Sequence, residues 1–63
     1  MATALGDENL LGSLNNEIGL LYYRFDRNVE LALKHYDRAI ELFTKSGNHR
    51  GVMVVMNNSG NIY

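Results

Sequence analysis

Cysteine, proline and tryptophan are absent from this 63-residue chain. Without cysteine no disulfide can brace it, and a reducing compartment, the cytoplasm, is the expected setting. Its two histidines, His35 and His49, stand 14 residues apart with no flanking ligand pattern, so neither a structural metal nor any other cofactor is expected. Charge of one sign is not in excess: six basic against seven acidic residues leave a net charge of −1, with a pI near 6.0. A nucleic-acid partner would call for a basic stripe, and there is none. The longest apolar run, Val52 to Met56, has five residues, where a membrane span needs about 20. Residues 1–7 lack the basic segment and apolar block of a secretory signal.

What remains is a small chain with a marginal core. A domain of this size buries only about 60% of the surface its unfolded form exposes. Folds below roughly 70 to 80 residues usually lean on disulfides, a metal or association. With the first two set aside, association or a larger parent chain is left.

The strong helix formers Leu, Ala, Glu, Lys and Arg concentrate between Glu17 and Lys45, and no proline interrupts them, which predicts an all-α chain. Apolar residues at Leu10, Leu14, Ile18, Leu21 and Phe25, flanked by Leu11 and Tyr22, predict a first helix over 8–25, with Asp7 as its N-cap. Asp26-Arg27-Asn28 is a polar break in which Asn28 can cap a second helix over 29–46. That helix presents Val29, Ala32, Leu33, Tyr36, Ala39, Ile40 and Phe43 on one side. Its other side carries Glu30, Lys34, Asp37, Arg38, Glu41 and Lys45, where Glu30–Lys34 and Glu41–Lys45 have favourable four-residue spacing. Gly47 can adopt the left-handed conformation that closes a helix, and a third helix is expected over 49–63.

The third helix restarts the first. Ile18-Gly19-Leu20-Leu21-Tyr22 returns as Ser59-Gly60-Asn61-Ile62-Tyr63, 41 residues on. In the same register Gly6 matches Gly47, Leu11 Val52, Leu14 Val55 and Asn16 Asn57. A period of roughly 20 to 50 residues marks stacked supersecondary units. Gly19, inside a helix, costs about 1 kcal/mol relative to Ala, and the expected reason is close approach of a neighbouring helix. Ala32 and Ala39 offer matching shallow positions, with Tyr22, Tyr36 and Phe43 filling the wider spaces between.

From Leu14 to Phe43 the order Ile18-Gly19, Tyr22, Ala32, Tyr36, Ala39 resembles a tetratricopeptide repeat. The turn Asp26 to Val29 is one residue longer than the family's usual turn, and Thr44-Lys45-Ser46-Gly47 stands where a proline often ends the second helix. The period also exceeds the usual 34 residues or so. Gly47-Asn48-His49-Arg50-Gly51 and Ser59-Gly60-Asn61 look like the connections of the longer Leu-Gly-Asn adaptor subgroup of cell-polarity proteins.

The resemblance implies an α-α superhelix fragment, one helical hairpin plus the first helix of a following repeat, in which first helices line a groove for a peptide or helix. It would place Asn16, Leu20, Tyr23 and Arg24, with Val54, Asn57 and Asn61, along that groove. A side-chain amide can both donate to and accept from an extended ligand's backbone. Such amides equally suit ordinary solvated positions. An unfinished stack leaves the last helix uncovered, so Val52, Met53, Met56, Ile62 and Tyr63 are the expected self-association residues, a dimer being favoured. With no proline between them, the second and third helices are also able to fuse and exchange between copies.

Other motifs lead nowhere. The carboxylate clamp of chaperone-binding repeats would need Lys where Asn16 stands and Asn where Leu20 stands. Asn57-Asn58-Ser59 matches a glycosylation sequon by chance, and Gly47 to Gly51 lacks the Gly-Lys-Ser/Thr ending of a phosphate loop. No nucleophile sits in a catalytic setting, and His35, placed on an exposed face, has no positioned partner, so an enzyme is not expected. The expected function is a protein-interaction adaptor module; the alternative is a structural self-assembly module without a heterologous ligand.

Overall fold

Ala32, Tyr36, Ala39 and Phe43, at steps of four, three and four along the second helix, are all buried. The computed structural model describes the backbone of residues 4–62 and the side chains of residues 7–62. Among them the chain is all-α: α1 spans Ala4–Leu21 and passes into a π-helical turn, Tyr22–Asp26; α2 spans Val29–Lys45, and α3 spans His49–Gly60. α1 and α2 form a helical hairpin, and α3 packs against α2 and along part of α1.

α2 is the centre of the fold because its two faces are the most sharply divided. Glu30, Lys34, Asp37, Arg38, Glu41 and Lys45 are exposed, while Ala32, Tyr36, Ala39, Leu42 and Phe43 are buried. α3 adds Val55 to that core, and Tyr22, Tyr23, Leu33, Ile40, Val52 and Ile62 pack around it. On the solvent face Glu41 accepts from Arg38 at 2.7 Å and lies 4.0 Å from Lys45. The pair expected between Glu30 and Lys34 is not formed among the described residues. These exposed contacts are each worth about 0.5 kcal/mol or less.

α1 meets α2 through glycine. A Cβ at Gly19 would lie 2.8 Å from Cε1 of Tyr36 and 3.0 Å from the Ala32 carbonyl oxygen; one at Gly12 would lie 2.9 Å from Cε1 of Phe43. From the other side, a Cβ at Gly51 of α3 would lie 2.7 Å from Cγ of the same Phe43. The close approach expected at Gly19 is present, with Ala32 beside it. Because α1 turns its glycines toward α2, its leucines fall elsewhere: Leu10, Leu11, Leu14 and Leu21 are exposed.

Both connections are closed by backbone hydrogen bonds. At the end of α2, Asn48 N–H donates to Phe43 O (2.8 Å) and Gly47 N–H to Thr44 O (3.1 Å), with Gly47 at φ 74°. This is a Schellman closure, and it keeps α2 and α3 separate helices. The additional residue between α1 and α2 is absorbed by the π turn, where Arg27 and Asn28 N–H both donate to Tyr22 O and Arg27 takes the left-handed conformation at φ 53°. Asn28 caps α2 by accepting from Leu31 N–H (3.1 Å), as expected. Asn48 caps α3 in the same way through Gly51 N–H (2.9 Å).

Three expectations are corrected. α1 begins at Ala4 rather than residue 8, so Asp7 is no N-cap; it lies inside the helix, where a carboxylate still complements the positive end of the dipole. α3 ends at Gly60 rather than residue 63: Asn61 and Ile62 form a turn, their N–H groups donating to Asn57 O and Ser59 O. Tyr63 lies outside the described residues. His35, expected on an exposed face, is half-buried against α1, because the extended turn brings Tyr22 over it.

Candidate functional site

Asparagine holds the helices in register. Asn15 Nδ2 donates to Leu11 O (2.8 Å), which points its Oδ1 at His35 Nδ1, 3.0 Å away. Only a protonated Nδ1 can meet an amide oxygen, so the His35 ring carries its hydrogen there. Tyr22 stacks on that ring at a centroid distance of 5.5 Å. Asn9 Oδ1 lies 2.8 Å from Ser46 Oγ and accepts from Asn48 Nδ2 (3.1 Å), tying the start of α1 to the α2–α3 connection.

Further along, Asn58 Nδ2 donates to Asn16 Oδ1 (3.0 Å), so α3 and α1 are joined by a direct amide bond. Beside that bond is an open cleft of about 270 Å³, walled by Ser13, Asn16 and Glu17 of α1 and by Arg50, Gly51 and Val54 of α3. Phe43 and Asn48 close its floor and one end. The two helices that share the repeated pattern therefore stand side by side and leave a groove between them. Its lining is mixed, with amides, one carboxylate and one guanidinium around an apolar base. Each asparagine side chain carries both a donor and an acceptor group, a composition suited to main-chain hydrogen bonding.

Of the residues expected along the groove, Asn16 and Val54 line this cleft. Tyr23 and Arg24 come together with Arg27 in a second opening, of about 280 Å³, at the end of α1. Leu20 is half-buried, Asn57 and Asn61 are exposed, and none of the three lines either opening. Ser13, Glu17, Asn48, Arg50 and Gly51 were not anticipated, since their position depends on the geometry of the α2–α3 connection. The match of Asn16 with Asn57 pointed near the amide bond but one residue away from Asn58.

The expected self-association residues divide. Met53 and Met56 are 70% and 58% exposed, whereas Val52 and Ile62 pack against the core. Gly60, the counterpart of Gly19, meets no other part of the described residues within 4 Å of the Cβ it lacks, its own helix backbone and chain neighbours aside. Deeper in, the Tyr36 phenol is fully buried and its hydroxyl has no hydrogen-bond partner among the described residues. Burial pushes its pKa above the ordinary tyrosine value, and the nearby Tyr23 phenol adds to the rise. Among the described residues no cluster of metal-ligating side chains is present, and no helix is long and apolar enough to cross a membrane. Comparison of the chain with protein-family models, with curated proteins and with solved structures finds no match.

Proposed function

We propose that the chain is a protein-interaction module of tetratricopeptide type, which takes a peptide or short helix of a partner protein in the cleft between α1 and α3. The observation that carries this reading is the groove formed where the two repeated helices stand together, Asn16 and Val54 on its walls, Phe43 and Asn48 closing it, and the Asn58–Asn16 amide bond beside it. An extended ligand would exchange main-chain hydrogen bonds with the amides and set an apolar side chain against Val54 and Phe43. No acid–base or metal chemistry enters, and the lack of cysteine fits a cytoplasmic setting. The test is selection of a displayed random-peptide library on the purified chain, followed by binding measurements with Val54→Asp and Asn16→Ala. Selected peptides should bind both variants more weakly. A library that yields no binder, or binders indifferent to both changes, overturns the reading.

A second reading, self-assembly without a foreign ligand, is favoured by one observation. Among the described residues the Met53 and Met56 surface is uncovered, and Gly60 is open where its counterpart Gly19 is packed.

A further inference from the structure

The cleft between α1 and α3 has two unlike ends. Asn9 is bonded to Asn48 and Asn16 to Asn58, so later residues of α1 meet later residues of α3 and the two helices run the same way. The lining residues then follow in order. Arg50 stands next to Asn48 at one end, Ser13 and Val54 occupy the middle, and Glu17 lies beside Asn16 at the other. From Arg50 to Asn58, which is bonded to the neighbour of Glu17, is eight positions of α3, a rise of about 12 Å.

Neither charge is answered within the molecule. Arg50 and Glu17 are both exposed and are joined to no ion pair among the described residues. Arg50 also opposes the helix that carries it. A helix start favours acidic groups, and α1 and α2 have Asp7 and Glu30 in their first turns, whereas α3 has no acid there and bears Arg50. Sequences break such local rules at functional sites. An anion brought from outside would meet the guanidinium and the positive end of α3 together. At the opposite end α3 stops at Gly60, two positions past Asn58, so the negative end of its dipole lies on the side of Glu17.

We infer that the segment taken by this cleft is an extended peptide with an acidic, an apolar and a basic side chain along one edge. The acid meets Arg50, the apolar side chain rests against Val54 and Phe43, and the base meets Glu17. This rests on the reading that the cleft captures a peptide of a partner protein, and it adds the charge pattern that peptide carries. In an extended chain, side chains on one edge recur at every second residue, about 6.6 Å apart. The three therefore fall at alternate positions and span about 13 Å, which matches the distance between the two charged ends. The amides of Asn16 and Asn48 favour this form over a helix, whose main-chain groups are already paired. A segment with two acids or two bases would set like charge against one end and be rejected.

The test is selection of a displayed random-peptide library on the full chain, then fluorescence anisotropy of the selected peptides, with circular dichroism reporting the fold of each variant. Selected peptides should carry an acid and a base about four residues apart with an apolar residue midway, and salt should weaken their binding. Replacing the acid of such a peptide by its amide should weaken binding by about three- to fivefold, and so should Arg50→Gln. The two changes together should cost no more than either alone, because they remove one contact. The base of the peptide and Glu17→Gln should behave in the same way. Peptides that Val54→Asp weakens, but that are indifferent to their own charges and to Arg50→Gln and Glu17→Gln, overturn the inference and leave peptide capture in the cleft standing. Selected peptides with charges of one sign only overturn it as well. A library without binders overturns both.

Discussion

Gly19 and Tyr36 meet with no room for a methyl group between them: a Cβ on the glycine would lie 2.8 Å from the ring's Cε1. Gly19→Ala gains about 1 kcal/mol of helix propensity but forces α1 away from both the ring and the Ala32 carbonyl, an overpacking cost of typically 1–3 kcal/mol. The balance is destabilising. Gly60→Ala, with open space around it, should be neutral or slightly stabilising. Urea denaturation followed by circular dichroism distinguishes the two; a Gly19→Ala variant more stable than the parent would disprove the close contact.

Arg27 and Gly47 both occupy the left-handed region, and only one of them is glycine. An L-residue there costs about 1–2 kcal/mol, partly offset by the greater entropy glycine loses on folding. Arg27→Gly should therefore raise stability by roughly 0.5–1 kcal/mol, and Gly47→Ala should lower it. Thermal melts of the pair are expected to move in opposite directions.

Asn28 and Asn48 do the same capping work with different burdens. Asn28→Ala removes one side-chain bond, to Leu31 N–H, for about 1 kcal/mol. Asn48→Ala removes the bond to Gly51 N–H and also the one to Asn9 that secures α1. The second substitution should be clearly the costlier, and Asn9→Ala should account for the difference in a double-mutant cycle. Equal losses for Asn28→Ala and Asn48→Ala would show that the link to α1 adds nothing.

Tyr36 makes the fold sensitive to alkali. Its phenol keeps its proton in the folded state beyond the ordinary value of 10.0 and releases it near that value when unfolded. The folded state then binds more protons, so stability falls as pH rises through 10.0 and onward until the folded group also titrates. Tyr36→Phe should flatten this alkaline slope. It should also leave neutral-pH stability unchanged or raise it by about 1 kcal/mol, because a buried hydroxyl without a partner among the described residues is removed. An unaltered alkaline slope in the variant would assign the sensitivity elsewhere.

The second helix was plain in the sequence, because its buried and charged sides differ at every turn and Asn28 and Gly47 mark its ends. The orientation of α1 was not. Its leucines make the conspicuous stripe, yet the side that meets α2 is defined by Gly12 and Gly19, which carry no hydropathy signal and show their role only once Phe43 and Tyr36 are in place. Gly51 was hidden for the same reason. In the cleft, Asn16 and Val54 could be anticipated from the repeated pattern, whereas Asn48 and Arg50 take their places from the backbone closure at Gly47, which local composition does not specify.

Phe43 sits where three helices converge: α1 reaches its Cε1 edge at Gly12, α3 reaches its Cγ end at Gly51, and the ring itself forms part of the cleft. One aromatic side chain on α2 thus acts as the spacer that sets how far apart the walls of the groove stand. Selection on ligand fit would then be felt at Phe43 twice, as contact and as spacer, and a change of ring size there would retune the opening while leaving every polar group on its walls intact.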